Sequence, residues 1–260
     1  GEVEFVNGQA AMAASGRYGD TLAAAGIVGF ADLTLGAKVE EVLSAQIAVG
    51  GGRFKGIRHA AGWEDKTAEI HNSHTNPPQH LYRDHVVFRE GFAKLGELGL
   101  SFDAWLYHPQ IEDLTDLARS FPDQPIVLNH VGGPLGLGWW SSRRAEVFTA
   151  WKASIEELAK SENVYMKLGG LGMKLNGFGF HERDTAPSSA ELADAWRPFV
   201  ETSIESFGPS RCMFESNFPV DKISGSYANY WNAFKRLAGG ASEDEKTDLF
   251  NRTARRFYRL

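Results

Sequence analysis

Six short apolar runs recur along the chain, each closing on polar residues and each followed by a loop and a helical pattern. They are AAGIVGFADL (24–33), RFKGIRH (53–59), LSFDAWLYH (100–108), PIVLNH (125–130), NVYMKLGG (163–170) and RCMFESNF (211–218). Their apolar character is nearly continuous rather than alternating, as in strands covered on both faces. A chain that repeats strand, loop and amphipathic helix in this order is confined to an α/β fold with a parallel sheet. That sheet is either open and doubly wound or closed into a barrel.

The stretches between the runs read as helices. One is AKVEEVLSAQIAV (37–49); others lie near 82–98, 111–119, 143–160, 189–206, 226–238 and 242–260. In the fourth of these Phe148, Trp151, Ile155 and Leu158 share one helical face. Ser242, with Glu245 three residues later, predicts a capping box for the last. Loops after the strands are long (60–81, 131–142, 169–188, 219–226), whereas those leading back into strands, such as FPDQ (121–124) and FGPS (207–210), are short. Long loops on one face favour a (β/α)8 TIM-type barrel, and no GxGxxG follows the first strand to support a dinucleotide fold. Such a barrel needs eight strands, and six of eight are identifiable; GEVEFVN (1–7) is too short and polar to be a seventh. The reading is therefore one domain over 1–260, N-terminally incomplete, with the first two βα units missing or their place filled by another chain or by this chain in an unexpected way.

A net charge of −6 argues against a nucleic-acid binder. No apolar run is long enough to span a membrane, and the N-terminus lacks the basic start and apolar core of a signal peptide. The single cysteine, Cys212, points to a reducing, cytoplasmic setting. The expected partner is a small, anionic substrate, with homo-oligomerisation left open.

In a barrel of this kind chemistry sits at the C-terminal ends of the strands. Those ends carry Asp32, Arg58 with His59, Tyr107 with His108, Asn129 with His130, Lys167, and Asn217 with Asp221 beyond it. His130 ends an apolar strand and is followed by Gly-Gly-Pro, which lets a ligand approach; a neutral imidazole there can bind a metal, donate to a carbonyl or relay a proton. His108, fixed by Pro109, is placed in the same way one strand earlier. Arg58 and Lys167 suit a substrate carboxylate, or else structural ion pairs, Arg58 with Asp32 for instance. Tyr107, His59 and Trp140 are further substrate-binding candidates. Asn217 stands where a base is expected and cannot accept a proton, so Asp221 or Glu215 is expected to supply the carboxylate that activates water. His71, His74 and His80 lie in a loop with nothing to fix them in one geometry, and a metal site there is not expected. Trp139, Trp140, Phe178 and Phe180 read as a lid that excludes water, or as plain packing.

The stretches EVEFVNGQAAMAASG, AGIVGFADLTLG, RFKGIRHAAGWED, LSFDAWLYHPQ, PIVLNHVGGP, VYMKLGGLGM, MFESNFPVDK and NRTARRFYRL, in that order, resemble the amidohydrolase-related (amidohydrolase 2) group of TIM-barrel metal-dependent hydrolases. That group includes sugar-acid lactonases and 2-pyrone-4,6-dicarboxylate lactonase. The resemblance implies hydrolysis of a lactone, ester or amide of a small carboxylated substrate. It implies a His-x-His pair on a first strand, absent here, and a last-strand aspartate, replaced by Asn217. It maps the family's late-barrel histidine onto His130, which alone cannot hold zinc. The cofactor stays open between one divalent ion such as zinc, with His130 as its ligand, and none. A decarboxylase of the same superfamily and a non-catalytic binding protein or inert fragment are the alternatives.

Overall fold

The computed structural model describes all of residues 1–260. Each of the six apolar runs contains a strand: β1 Ile27–Gly29, β2 Phe54–Ala60, β3 Ser101–Trp105, β4 Ile126–Leu128, β5 Val164–Leu168 and β6 Cys212–Phe214. They form one parallel sheet in the order β1-β2-β3-β4-β5-β6, so each strand pairs with its sequence neighbour. This is six strands' worth of a (β/α)8 barrel. β1 and β6 do not meet, and each leaves one backbone edge without a strand partner.

Ten helices accompany the sheet: α1 Glu2–Ala14, α2 Val39–Val49, α3 Leu81–Asp84, α4 Val86–Glu97, α5 Ile111–Ser120, α6 Arg144–Leu158, α7 Ser189–Phe207, α8 Tyr227–Leu237, α9 Glu243–Thr247 and α10 Thr253–Tyr258. Residues 1–7, too polar for a strand, begin α1; Glu2 and Glu4 in its first turn complement the helix dipole, and Val3 is buried against the rest of the core. The expected face of α6 is present: Trp151, Ile155 and Leu158 are fully buried and Phe148 packs beside them. The capping box also forms, with Ser242 Oγ accepting from Glu245 N and the Glu245 carboxylate accepting from Ser242 N. The single helix expected over 242–260 is instead α9 and α10 joined by a π-helical turn at Asp248–Arg252.

The two sides of the sheet differ. On the outer side Ile57, Phe102, Ala104, Ile126, Leu128, Met166, Leu168 and Phe214 join the helices in a core cluster of 47 buried residues. The alternate positions face inward and carry Arg58, Asp103, Trp105, Val127, Asn129, Lys167, Met213 and Glu215. The strands are thus less uniformly apolar than they read. α10 closes the floor of the inner face: Phe257 packs with Val127 and Met213, and its ring lies 5.0 Å from that of Tyr165. Lys55 Nζ donates to the Arg259 carbonyl, and Arg259 Nη2 donates back to the Lys55 carbonyl, tying the C-terminus to β2.

Trp151 links the outer core to the active face, because its Nε1 donates to the Val131 carbonyl at 2.7 Å just beyond His130. Trp151→Ala should lower the unfolding free energy by about 3–5 kcal/mol, read from the urea midpoint. No helix is long and apolar enough to cross a membrane.

Candidate active site

The backbone turns sharply where β4 ends. His130 and Val131 have φ of 56° and 47°, a left-handed conformation that non-glycine residues adopt at a cost. The turn swings His130 across to β6. There its backbone N–H donates to Glu215 Oε1 at 3.1 Å, and ring Nδ1 bonds the same oxygen. Room for this comes from the end of β5. A Cβ on Gly170, whose φ is +69°, would lie 2.4 Å from His130 Cβ, and one on Gly169 would lie 2.2 Å from the Glu215 carbonyl oxygen.

The hydrogen-bond pattern assigns the tautomer. Nδ1–H donates to the Glu215 carboxylate, which leaves Nε2 as an acceptor, 3.4 Å from Arg58 Nη2. Burial lowers the His130 pKa from its ordinary value and outweighs the pull of Glu215. Burial works the other way on Glu215, but His130, Lys167 and Arg58 more than offset it and hold its carboxyl at about 2. The result is a neutral imidazole oriented by an ionised carboxylate, with its unprotonated nitrogen facing a guanidinium.

Arg58 makes no ion pair, with Asp32 or any other acid; its guanidinium lies 5.8 Å from the centre of the Trp105 ring. Asp32 instead caps the turn after it, accepting from Thr34 N. Arg58 lines an open cleft of about 620 Å³ together with Phe30, Ser73, His74, Trp105 and Tyr107. Tyr107 is held there by its hydroxyl, which donates to the His71 carbonyl at 2.5 Å. Asn129, next to His130, is fully buried, and neither of its amide atoms has a partner.

Of the two readings of Lys167, a substrate clamp or an ion pair, the structure shows ion pairing. Its Nζ donates to Asp103 Oδ2 at 2.7 Å and lies 3.7 Å from Glu215 Oε2. Asp103 was not singled out by the sequence reading. A charged residue in the middle of the apolar run LSFDAW was the signal for it.

Three expectations are corrected. His59 points to the outer side, its ring between Phe30 and Phe88; Nδ1 accepts from Leu33 N, and burial pulls its pKa to about 4, so it is a neutral core histidine. His108 is likewise neutral, with burial lowering its pKa to about 3; it accepts from Leu135 N and packs on Trp140, so its ring anchors the loop that follows β4. Asp221 is fully buried, bonded by Asn217 Nδ2 at 2.6 Å and by Gly172 N at 3.1 Å, so Asn217 and Asp221 serve each other rather than reach the cleft as a base. The aromatic group read as a lid or as packing divides in two. Trp140 donates to Glu64, and Trp139 has Lys66 and Arg143 over its ring, whereas Phe178 packs on Phe199 of α7.

His71, His74 and His80 do not share a site: His80 bonds Asp113, and His74 lies by Phe30. No group of three His, Cys, Asp or Glu side chains anywhere in the chain could hold a metal ion. Around His130 the groups that would meet such an ion are engaged or repulsive, with Nδ1 on Glu215, Arg58 at Nε2 and Lys167 between the two carboxylates. The residues of this chain do not fit a divalent ion.

The family model described as Amidohydrolase matches residues 14–260. A protein of Sinorhizobium fredii named only as uncharacterized protein y4mH is 36% identical over 239 residues, 90% of this chain and 70% of that one. An L-fucono-1,5-lactonase of Burkholderia ambifaria is 29% identical over 168 residues, 62% of this chain and 50% of that relative; the chain thus spans about half the length of this lactonase. Among solved structures, an amidohydrolase from Burkholderia multivorans with bound HEPES superposes with a TM-score of 0.72 at 25% identity, covering 93% of this chain and 76% of that one.

Two substitutions test the local physics. Gly170→Ala forces a side chain into a left-handed position and against His130; it should cost at least about 1 kcal/mol by thermal unfolding and displace the His130 ring resonances. Burial raises Asp221 from 3.8 to about 7. The unfolded chain therefore releases this proton first, and stability falls as pH rises from 3.8 to about 7. Asp221→Asn should remove that part of the slope in urea midpoints measured at pH 5 and pH 8.

Proposed function

The chain belongs to the amidohydrolase family, and from that premise we propose that it hydrolyses a lactone, ester or amide of a small carboxylated substrate, a lactone being the preferred case. The observation that carries this is the Glu215–His130 pair, with Nε2 unprotonated and facing, at 3.4 Å, the guanidinium of Arg58, which lines the cleft. Similarity to an L-fucono-1,5-lactonase supports the lactone.

Water in the cleft gives a proton to His130 Nε2 as its oxygen bonds to the carbonyl carbon. Glu215 holds the ring in the tautomer that can accept that proton and stabilises the imidazolium that forms. The tetrahedral intermediate collapses with cleavage of the ring C–O bond, and the proton passes from His130 to the departing alkoxide, leaving a hydroxy acid. Arg58, which has no carboxylate of its own, holds the substrate's negative charge. Trp105 and Tyr107 wall the cleft. The role of base passes from Glu215 and Asp221 to His130, because Glu215 at about 2 is too weak a base and Asp221 is enclosed. No step goes through a metal ion. A cytoplasmic location belongs to the same proposal, supported by Cys212 as a free, buried thiol.

Aldono- and muconolactones offered as a panel should release acid, and His130→Ala should lower kcat roughly 10²–10⁴-fold. Carbon dioxide release without incorporation of solvent oxygen would mark a decarboxylase instead. Because the active form is the unprotonated imidazole and its pKa is lowered, activity should persist as pH falls past 6.5 and be lost only below it. An acid limb above 6.5 would count against His130 as the base.

A further inference from the structure

We propose that Tyr258, Asp103 and Lys167 form a positioning chain that runs from the C-terminal helix to the Glu215–His130 pair, and that Lys167 does not bind substrate. The kinetic part of this rests on the hydrolytic reading of that pair.

The contacts run in one direction through three elements. Tyr258, near the end of α10, places its hydroxyl 3.0 and 2.9 Å from the two carboxylate oxygens of Asp103 on β3. Asp103 accepts from Lys167 of β5 at 2.7 Å, and Lys167 stands 3.7 Å from Glu215 Oε2. Glu215 Oε1 is the oxygen that bonds His130, so the ammonium draws one carboxylate oxygen and leaves the other for the imidazole.

Two physical arguments separate this from a substrate clamp. The Lys167 ammonium already lies between two carboxylates, and its side chain is only 17% exposed. A substrate carboxylate would be a third anion on one cation, while Arg58 offers a guanidinium with none. The anchoring of Tyr258 is also more than incidental packing. α10 is held by Thr253 Oγ1 on the Ser210 carbonyl, by Phe257 against Tyr165, and by the reciprocal Lys55–Arg259 bonds. These ties fix where the hydroxyl meets Asp103. Full burial of Asp103 makes an accurate partner geometry necessary rather than optional.

The test pairs a carboxylated lactone with a neutral lactone of the same ring, and adds ¹⁵N spectra of the His130 ring, which need no turnover. Lys167→Met leaves Asp103 as an unpaired buried charge, so the charge-balanced double variant K167M/D103N is made beside it. The double variant is expected to lower kcat about 10–100-fold, the scale on which orienting partners act, equally on both lactones and with KM within about threefold. Tyr258→Phe removes one hydrogen bond and is expected to lower kcat about fivefold in the same pattern. The wild-type ring should show a single Nδ1–H tautomer and the double variant a mixture. A KM that rises only for the carboxylated lactone, with kcat unchanged, would overturn the proposal in favour of a substrate clamp. Wild-type ring signals in the double variant would overturn it as well. If the wild-type protein opens neither lactone, the hydrolytic reading fails while the spectra still decide the positioning chain.

Discussion

The structure turns on one buried ion cluster, Lys167 held between Asp103 and Glu215 on the inner face of the sheet. Charges removed from water are costly unless their partners are close and their remaining hydrogen-bonding positions are filled. That requirement reaches into parts of the chain far apart in sequence. Asp103 and Lys167 come from β3 and β5, Glu215 follows β6, and the hydroxyl that completes Asp103 comes from α10. In a sheet that stops at six strands, the last helix, packed under Val127 and Met213, gives the inner face a floor.

The cluster also explains why the strand ends depart from ordinary backbone geometry. Glu215 can serve His130 only if His130 leaves the line of β4, and the left-handed pair His130–Val131 makes that turn. The turn in turn needs Gly169 and Gly170 at the end of β5, where any side chain would meet Glu215 or the His130 ring. Trp151, reaching through from α6 to the Val131 carbonyl, fixes the same turn from the outer side. Charge pairing inside, packing outside and glycines between them hold one imidazole.

Much of the fold was legible because parallel strands covered on both faces leave a strong apolar signal, and all six runs contain strands in one parallel sheet. What the apolar runs concealed was the alternation within them. FDAWL reads as apolar with one blemish, yet the blemish is Asp103, on the inner face and central to the site. The same coarse reading placed His59 beside Arg58 at the mouth, whereas adjacent residues of a strand point to opposite sides, and His59 goes to the outer core. For Lys167 the sequence leaves a substrate clamp and an ion pair open, since it shows a cation at a strand end but not the two carboxylates that surround it. Tyr258 had no signal at all: nothing in RRFYRL says that a helix after a π-helical turn will deliver its hydroxyl to a strand more than a hundred residues away.

Charge balance connects this arrangement to the proposed chemistry. Arg58 and Lys167 are matched by Asp103 and Glu215, so the inner face is neutral while the His130 imidazole is neutral. A bound carboxylate adds one negative charge, and in the proposed reaction the proton that His130 takes from water puts a positive imidazolium near it, while the matching negative charge goes to the oxygen of the tetrahedral intermediate. An acidic substrate therefore favours the protonated imidazole that the reaction requires and that burial alone opposes. With Lys167 held between the acids, Arg58 remains as the cation at the cleft that can receive the substrate's charge, and it lies 3.4 Å from the nitrogen that takes the proton. In the proposed reaction, substrate charge and base strength are coupled through that short distance, so the acidity of the substrate would serve the mechanism as well as recognition.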